Sequence, residues 1–338
     1  MNEIGVGLIG YGLGGRAFHA PYVAATPGMA LRAVVSRDAA KVHADVPDVA
    51  VVASVEALLA HANIDLVIVC SPDALHADHA LAALQAGKHV LVDKPFATSL
   101  ADARRVASEA DACGRLLTVF HNRRWDADFL TLRRLIAEGT LGRIVELESR
   151  FDRWRPAVGS HWKDARQGGS WLDLGPHLVD QAVQLFGRPH AVLADIAALR
   201  EGAPAPDYFH AVLRYPRCRV VLHSSKLAAD HGVRFAVHGT GGSWVKRGLD
   251  PQEAATLAGE RPGGDWGLDP VAGVFTDREG GATPVVNERG DYRLFWQALA
   301  AAIRGEGPNP VPPSEALTVM EILEAGLRST EKRCEVRL

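Results

Sequence analysis

Cysteine is scarce in this chain. Four occur in 338 residues, at Cys70, Cys113, Cys218 and Cys334, and no two form a CxxC pair. That spacing argues against a disulfide framework and against a cysteine-built zinc site, and it fits a reducing cytoplasm. Two of the four sit in apolar contexts and read as small core residues. An excess of one charge is also missing. Lys and Arg number 37 against 40 Asp and Glu, a formal net charge of −3, so nothing global draws the chain to nucleic acid or an anionic membrane, although a local anion site is compatible with it. No apolar run approaches the ~20 residues that span a bilayer. The opening MNEIGVGLIGYG lacks the basic and long apolar regions of a signal peptide. The expectation is a cytoplasmic protein with neither a membrane nor a nucleic-acid partner. There is no internal repeat and no low-complexity tail.

What is present is ordinary globular material, 47% apolar and 23% charged, long enough for about two domains at roughly 150 residues each. Over the first stretch, short β-branched runs (IGVGLI, LRAVV, VAVV, LVIVC, HVLV, LLTVF) alternate with alanine-rich helical stretches that end in glycine. Continuous apolar strands between helices indicate a doubly wound parallel sheet, the α/β class. After Phe120 the pattern changes. Longer alternating strands (RIVELESRFDRW, YFHAVLRY, RVVLHSSKL, VRFAVHG) predict a mostly antiparallel sheet with one wet face. Two late helices are predicted over 291–305 and 314–333, with Ser314 and Glu315 at the start of the second. The domains are therefore read as 1–121, for a dinucleotide, and 122–338, for substrate and association. The last helix is a candidate to pack back on the first domain.

Gly10-Tyr11-Gly12-Leu13-Gly14-Gly15 follows the first strand and opens a helix. Gly10, Gly12 and Gly15 form the GxGxxG of a dinucleotide loop in the context that motif requires. The first glycine turns the chain, the second admits the pyrophosphate, and the third lets helix and strand pack closely. Tyr11 and Leu13 belong to the same loop. An acid about twenty residues beyond the loop would bind the ribose 2′-hydroxyl. Here the second strand ends in Ser36-Arg37-Asp38. A hydroxyl and a guanidinium at that place suit a 2′-phosphate, so NADP is expected over NAD. Asp38 would serve as the acid instead if the strand ended two residues later.

Two further stretches carry titratable chemistry. HVLVDKP places Asp93 and Lys94 just past the fifth strand, where ligands of open α/β sheets sit. Pro95 constrains the backbone there. A lysine at that point either donates to a substrate oxygen or is a solvated surface residue. GGSWLDLGPHLVDQA puts Asp173 and His177 four apart. If a helix starts at 171, capped by Ser170, the two share a face and Pro176 lies inside the helix at a cost of about 3 kcal/mol. If it starts at Pro176, a favoured first-turn position, the facing is looser. A histidine beside a carboxylate is a plausible base near neutral pH. Taken alone the pair reads more readily as a buried, satisfied histidine beside an acid. The dinucleotide loop and Lys94 tip the balance, because hydride transfer from an alcohol needs a proton acceptor.

GYGLGGRAFHAP, SPDALHADHALAALQAGKHVLVDKP, HNRRWDADFLTLRRLI and WLDLGPHLVDQAVQLFG together resemble the Gfo/Idh/MocA family of oxidoreductases (glucose–fructose oxidoreductase, inositol dehydrogenase, rhizopine catabolism). The wording of HNRRWD and DLGPHLVDQ is most similar to the NADP-dependent scyllo-inositol 2-dehydrogenases. The resemblance covers nearly the whole chain. It implies a Rossmann domain followed by an α+β domain with a large open, mostly antiparallel sheet, which commonly builds the interface of a homodimer or homotetramer. It implies catalytic roles for Lys94, Asp173 and His177, a cofactor-side loop at Ser71, Pro72 and His76, and a segment near nicotinamide and substrate at Asn122 and Arg123. Asp93 stands where the family usually has glutamate. That Ser36 and Arg37 replace the usual acid agrees with the NADP-using subgroup.

The expected chemistry is hydride transfer between the nicotinamide and a secondary alcohol or ketone of a cyclic polyol or sugar, inositol-like. His177 would act as base, Lys94 would hydrogen-bond the reacting oxygen and Asp173 would orient the substrate. Trp162 and Trp154 are candidates to stack on a sugar face, although either alone reads as an ordinary core or interface aromatic. The arginines at 123, 124, 150, 153 and 155 hint at a sugar acid, but surface and interface ion pairs explain them better. His76 and His79, three apart, have no further ligands in the nearby sequence, and no metal is expected. The alternatives are an NADP-binding sensor without turnover, or a redox-neutral sugar-modifying enzyme holding its cofactor tightly.

Overall fold

In the computed structural model, residues 3–159, 168–230 and 232–338 are described. The chain divides into two compact units. The first comprises Met1–Asn122, Gln252–Trp266 and Asp291–Leu317, and the second Arg123–Pro251, Gly267–Gly290 and Thr318–Leu338. The division thus follows Asn122, and two later segments cluster with the first unit.

The first unit holds six parallel strands: β1 (Ile4–Ile9), β2 (Met29–Val35), β3 (Ala50–Val52), β4 (Leu66–Val69), β5 (His89–Val92) and β6 (Leu117–Val119). Their order is β3-β2-β1-β4-β5-β6. The order reverses between β1 and β4, the switch point at which doubly wound sheets bind ligands. All residues of β1 and β4 are buried, as the continuous apolar runs predicted. The helices between the strands are α1 (Ala20–Ala24), α2 (Ala39–Asp45), α3 (Val55–Leu59), α4 (His76–Gln85) and α5 (Leu100–Cys113). Asp38, Ser54 and Ser99 cap α2, α3 and α5 by accepting N–H groups of their first turns.

In the second unit, a nine-stranded sheet runs β14-β13-β12-β11-β7-β10-β9-β8-β15. Its strands are β7 (Ile144–Arg150), β8 (Ala191–Ala197), β9 (Tyr208–Arg214), β10 (Arg219–Ser225), β11 (Val233–Gly239), β12 (Gly242–Arg247), β13 (Gly273–Thr276), β14 (Ala282–Val285) and β15 (Val336–Arg337). β7 and β10 are parallel and every other pairing is antiparallel. Alternate residues of β9 are buried, and α6 (Ala127–Ala137) and α7 (Gly169–Phe186) belong to the same unit. α7 packs on β9 and β10. Trp171 of α7 is fully buried, edge-on to Phe209 at 5.0 Å, and its indole N–H donates to the Leu323 carbonyl at 2.9 Å. Three more helices complete the chain: α8 (Gln252–Leu257), α9 (Arg293–Ile303) and α10 (Pro313–Lys332).

The structure decides the start of α7. The helix begins at Gly169 and Pro176 lies inside it. Ser170 is in the first turn and does not cap the helix, and its buried hydroxyl has no partner among the described residues. The two glycines before it have a different task. Gly169 has a positive φ of 50°, and a Cβ there would lie 1.9 Å from the Pro206 carbonyl oxygen. The chain needs a residue without a side chain to pass that backbone.

Candidate active site

The glycine loop lies at the switch point, between the carboxyl ends of β1 and β4. Gly10 has φ 99°, and a Cβ on it would meet the Cys70 carbonyl oxygen at 2.5 Å. A Cβ on Gly15 would meet the Gly10 carbonyl oxygen at 2.3 Å, whereas one on Gly12 would meet nothing within 4 Å. Tight turn, open approach and close packing are therefore distributed over the three glycines as a dinucleotide loop requires. The loop continues into a wide helical turn, Gly14–His19, and then α1. Leu13 is exposed, while Tyr11 is buried. The Tyr11 hydroxyl donates to Asp45 at 3.2 Å. Burial, then the Asp45 charge, pushes the phenol up to about 12, so it stays a donor at neutral pH. Arg16 forks onto the same carboxylate at 2.7 and 3.1 Å.

Strand β2 ends at Val35, so Ser36 and Arg37 are the first residues past it. Arg37 is exposed. Asp38 caps α2 by accepting the Lys41 N–H at 2.9 Å, and its own N–H bonds the Ser36 hydroxyl at 3.1 Å. The carboxylate of the alternative reading thus caps a helix.

Past β4, Ser71 is half-buried and Pro72 exposed. His76 is buried, and its ring meets the Pro95 carbonyl at 2.8 Å and the Ser71 carbonyl at 2.9 Å. His79 bonds the Ser71 hydroxyl at 3.0 Å, and burial, then the charge of His76, lowers its pKa. His76 thus ties the ends of β4 and β5 together, and His79 holds the Ser71 side chain beside it. Lys94 is half-buried at the end of β5, ahead of a cis Lys94–Pro95 bond. Beside it, Asp93 accepts the Lys94 N–H at 2.8 Å and the Cys70 thiol at 3.3 Å, and His19 lies at 3.5 Å. Burial would raise the Asp93 pKa. The contact with the His19 imidazole, with Lys94 and His76, outweighs it and holds the carboxyl well below the usual range.

In the second unit, Asp173 is half-buried and His177 buried, four apart on α7 and hence on one face. Asp180, one turn on, forks with the Arg124 guanidinium at 2.6 and 2.9 Å, both side chains buried. Gln181 donates to the Arg123 carbonyl and accepts from Arg234, at 2.8 and 2.7 Å. Arg234 also pairs with Asp128 at 3.2 Å; burial lowers its pKa, with Asp128 acting against that. Asn122 is buried at the end of the first unit's leading segment. Arg123 is buried too, paired with Asp126 at 3.1 Å and stacked on Phe151 at 4.8 Å, so its charge is committed to the protein. Trp162 lies outside the described residues. Trp154 is exposed and bridges Leu227.

The structure therefore gathers Gly10, Gly12, Gly15, Ser71, His76 and Lys94 around the switch point of the first unit, and places Asp173 and His177 together on α7 of the second. Residues 4–121 match a family described as "Oxidoreductase family, NAD-binding Rossmann fold". Residues 133–338 match its companion, "Oxidoreductase family, C-terminal alpha/beta domain". The chain belongs to the Gfo/Idh/MocA oxidoreductase family. Among Gfo/Idh/MocA proteins it is 48% identical to the uncharacterized oxidoreductase YdgJ of Escherichia coli, over 100% of this chain and 99% of that one. It is 36% identical to the scyllo-inositol 2-dehydrogenase (NADP(+)) IolW of Bacillus subtilis, over 100% and 97%. An oxidoreductase structure from Yersinia pestis superposes with a TM-score of 0.96 at 48% identity, covering 100% of this chain and 97% of that one. Sequence reasoning about this Gfo/Idh/MocA chain missed His19 and Cys70 as partners of Asp93. The one signal was His19 itself, a histidine in the GRAFHAP stretch directly after the glycine loop.

Proposed function

We propose that this oxidoreductase is an NADP-dependent dehydrogenase interconverting a secondary alcohol and its ketone on a cyclic polyol or sugar of the inositol kind. The observation that carries the reading is the place of Lys94, an amine at the carboxyl end of β5 beside the glycine loop's switch point. The open side of Gly12 and the close fits at Gly10 and Gly15 suit a pyrophosphate, and Ser36 and Arg37, directly after β2, suit a 2′-phosphate. The Bacillus subtilis relative, a scyllo-inositol 2-dehydrogenase (NADP(+)), favours the same coenzyme and substrate class.

The coenzyme, when bound, supplies the hydride acceptor or donor. The chain's own residues do the rest. Lys94 donates a hydrogen bond to the reacting oxygen and stabilises negative charge developing there. His177 takes the hydroxyl proton in oxidation and returns it in reduction, a contribution typically worth about 10²–10⁴ in rate. Asp173 accepts a hydrogen bond from a neighbouring hydroxyl and orients the ring. Self-association through the nine-stranded sheet, as a homodimer or homotetramer, belongs to the same reading.

The test is a nicotinamide-absorbance screen with NAD and NADP against inositols, aldoses and sugar acids. Turnover of a cyclic polyol with NADP is expected, and it is lost in Lys94→Met and His177→Ala while both still bind NADPH. No turnover on any member of the panel would overturn the assignment, and near-normal rates in either variant would remove that residue from the mechanism.

A further inference from the structure

Three segments of the first unit meet on one carboxylate. Asp93 follows β5, Cys70 follows β4, and His19 ends the helical turn after the glycine loop. A His19 ring nitrogen, Cys70 Sγ and an Asp93 oxygen all lie within 4.8 Å of one another. The two oxygens of Asp93 face different ways. Oδ2 accepts the Cys70 thiol at 3.3 Å and faces His19 Nε2 at 3.5 Å, while Oδ1 accepts the main-chain N–H of Lys94 at 2.8 Å. The glycine loop presses on the same group, since a Cβ on Gly14 would lie 2.9 Å from Asp93 Oδ2 and 2.6 Å from Cys70 Sγ.

His19 is fully buried. It packs against Phe120 at 4.7 Å and edge-on to Trp296 at 5.8 Å. Neither ring nitrogen makes a hydrogen bond of ordinary geometry among the described residues, and the ring's ion-pair contact is Asp93. A buried imidazole is costly unless a polar group answers it. Pure packing at this place would be served as well by phenylalanine, so the contact with the carboxylate is the feature that calls for histidine.

We propose that His19 is a positioning residue for Lys94, acting through Asp93: with Cys70 it pins one carboxylate oxygen so that the other fixes the main chain bearing the amine. The proposal rests on the reading of Lys94 as the group that meets the substrate. It deepens that reading by joining the coenzyme loop and the reacting amine through one side chain. The charged and titratable groups around Asp93 are His19, Cys70, Lys94 and His76, and together they keep it ionised. The negative charge is therefore permanent at working pH, and His19 governs how much of it is turned toward the lysine.

The experiment compares His19→Phe, His19→Gln and Asp93→Asn with the unmodified protein. Phenylalanine keeps the stacking but has no donor, glutamine restores an N–H donor, and asparagine is close to isosteric with the carboxylate it replaces. Thermal melting and NADPH affinity establish that each variant is folded with a working coenzyme loop. The decisive readout is the rate of Lys94 acylation by an amine-selective reagent at fixed pH, followed by peptide mass spectrometry, which needs no substrate. In His19→Phe the carboxylate, released by the imidazole, holds the ammonium more firmly and acylation slows by about tenfold, the equivalent of one charge-assisted hydrogen bond. In Asp93→Asn the rate rises, and in His19→Gln it returns toward the original. Turnover falls in kcat in His19→Phe and recovers in His19→Gln, with KM for NADPH unchanged. If no substrate is found, the acylation rates still decide the proposal separately from the assigned reaction. Equal acylation in His19→Phe and the unmodified protein overturns it. Should that variant not fold, an unchanged rate in Asp93→Asn overturns it equally.

Discussion

Two alanine substitutions three residues apart in the glycine loop should separate binding from folding. The open side of Gly12, where a Cβ would meet nothing within 4 Å, leaves the folded protein room for a methyl group. Gly12→Ala should therefore fold normally and gain up to about 0.4–1 kcal/mol, because alanine has less chain entropy to lose. The same methyl would stand where the backbone must approach the pyrophosphate. Losing one or two hydrogen bonds to a charged group, at about 1.5–3 kcal/mol each, lowers NADPH affinity by roughly ten- to a hundredfold or more. Gly15→Ala should do the reverse damage. Its Cβ would sit 2.3 Å from the Gly10 carbonyl oxygen, about 1 Å inside contact distance, and that oxygen is backbone and cannot swing away. Overpacking of this kind costs about 1–3 kcal/mol, so the melting temperature falls. Calorimetric titration with NADPH and thermal melting read the two effects independently. A Gly12→Ala protein that binds NADPH as tightly as the original would show that the coenzyme does not cross the open side of that residue, and the loop assignment would fail.

Arg37→Ala should weaken NADP by about tenfold or more while leaving NAD nearly unaffected, since only the former has a 2′-phosphate to pair; equal losses for the two coenzymes would refute the assignment. Asp180→Ala should cost about 3–5 kcal/mol in denaturant unfolding by removing one partner of a buried ion pair, whereas the double change Arg124→Met with Asp180→Leu should cost clearly less. Asp207 titrates below its ordinary value: burial would raise it, but the N–H of Leu199 and the Arg200 guanidinium outweigh that. A depressed folded pKa adds stability above the unfolded value and loses it as pH falls, so the gap in melting temperature between the original and Asp207→Asn should close below about pH 4. A gap that stays constant through that range would mean the pair contributes nothing through ionisation.

Much of the first unit was legible because parallel strands buried on both faces leave continuous apolar runs, and because a dinucleotide loop draws its three glycines from one short stretch. The end of β2 was read correctly for the same reason, and with it the place of Ser36 and Arg37. What stayed hidden depended on contacts distant in sequence. The start of α7 could not be chosen locally, since Pro176 on its own favours the later start and the helix nevertheless begins at Gly169. The close approach of Gly169 to Pro206 decides it, and nothing within α7 reports on that loop. β12 was missed because its polar residues obscure the alternation. Lys246 is fully buried there and paired with Asp269 at 2.9 Å, a partner from a loop between strands. The contacts of Asp93 were equally invisible, since His19 and Cys70 come from two other elements. Arg123, read as part of a segment near nicotinamide and substrate, is buried with Asp126 and Phe151 beside it, and that pairing depends on how the short turn before α6 folds.

The first unit is assembled from three stretches of chain, and its last stretch is not a mere attachment. Tyr292, Phe295, Trp296 and Leu299 of that stretch are fully buried, Val311 accepts the Thr118 hydroxyl at 3.0 Å, and Asn309 donates to the Leu117 carbonyl at 2.7 Å. The wall behind His19 is partly Trp296. During synthesis, then, the coenzyme domain remains unfinished until the segment Asp291–Leu317 has been made, and a fragment ending at the first domain boundary would expose an aromatic seam that this later segment covers.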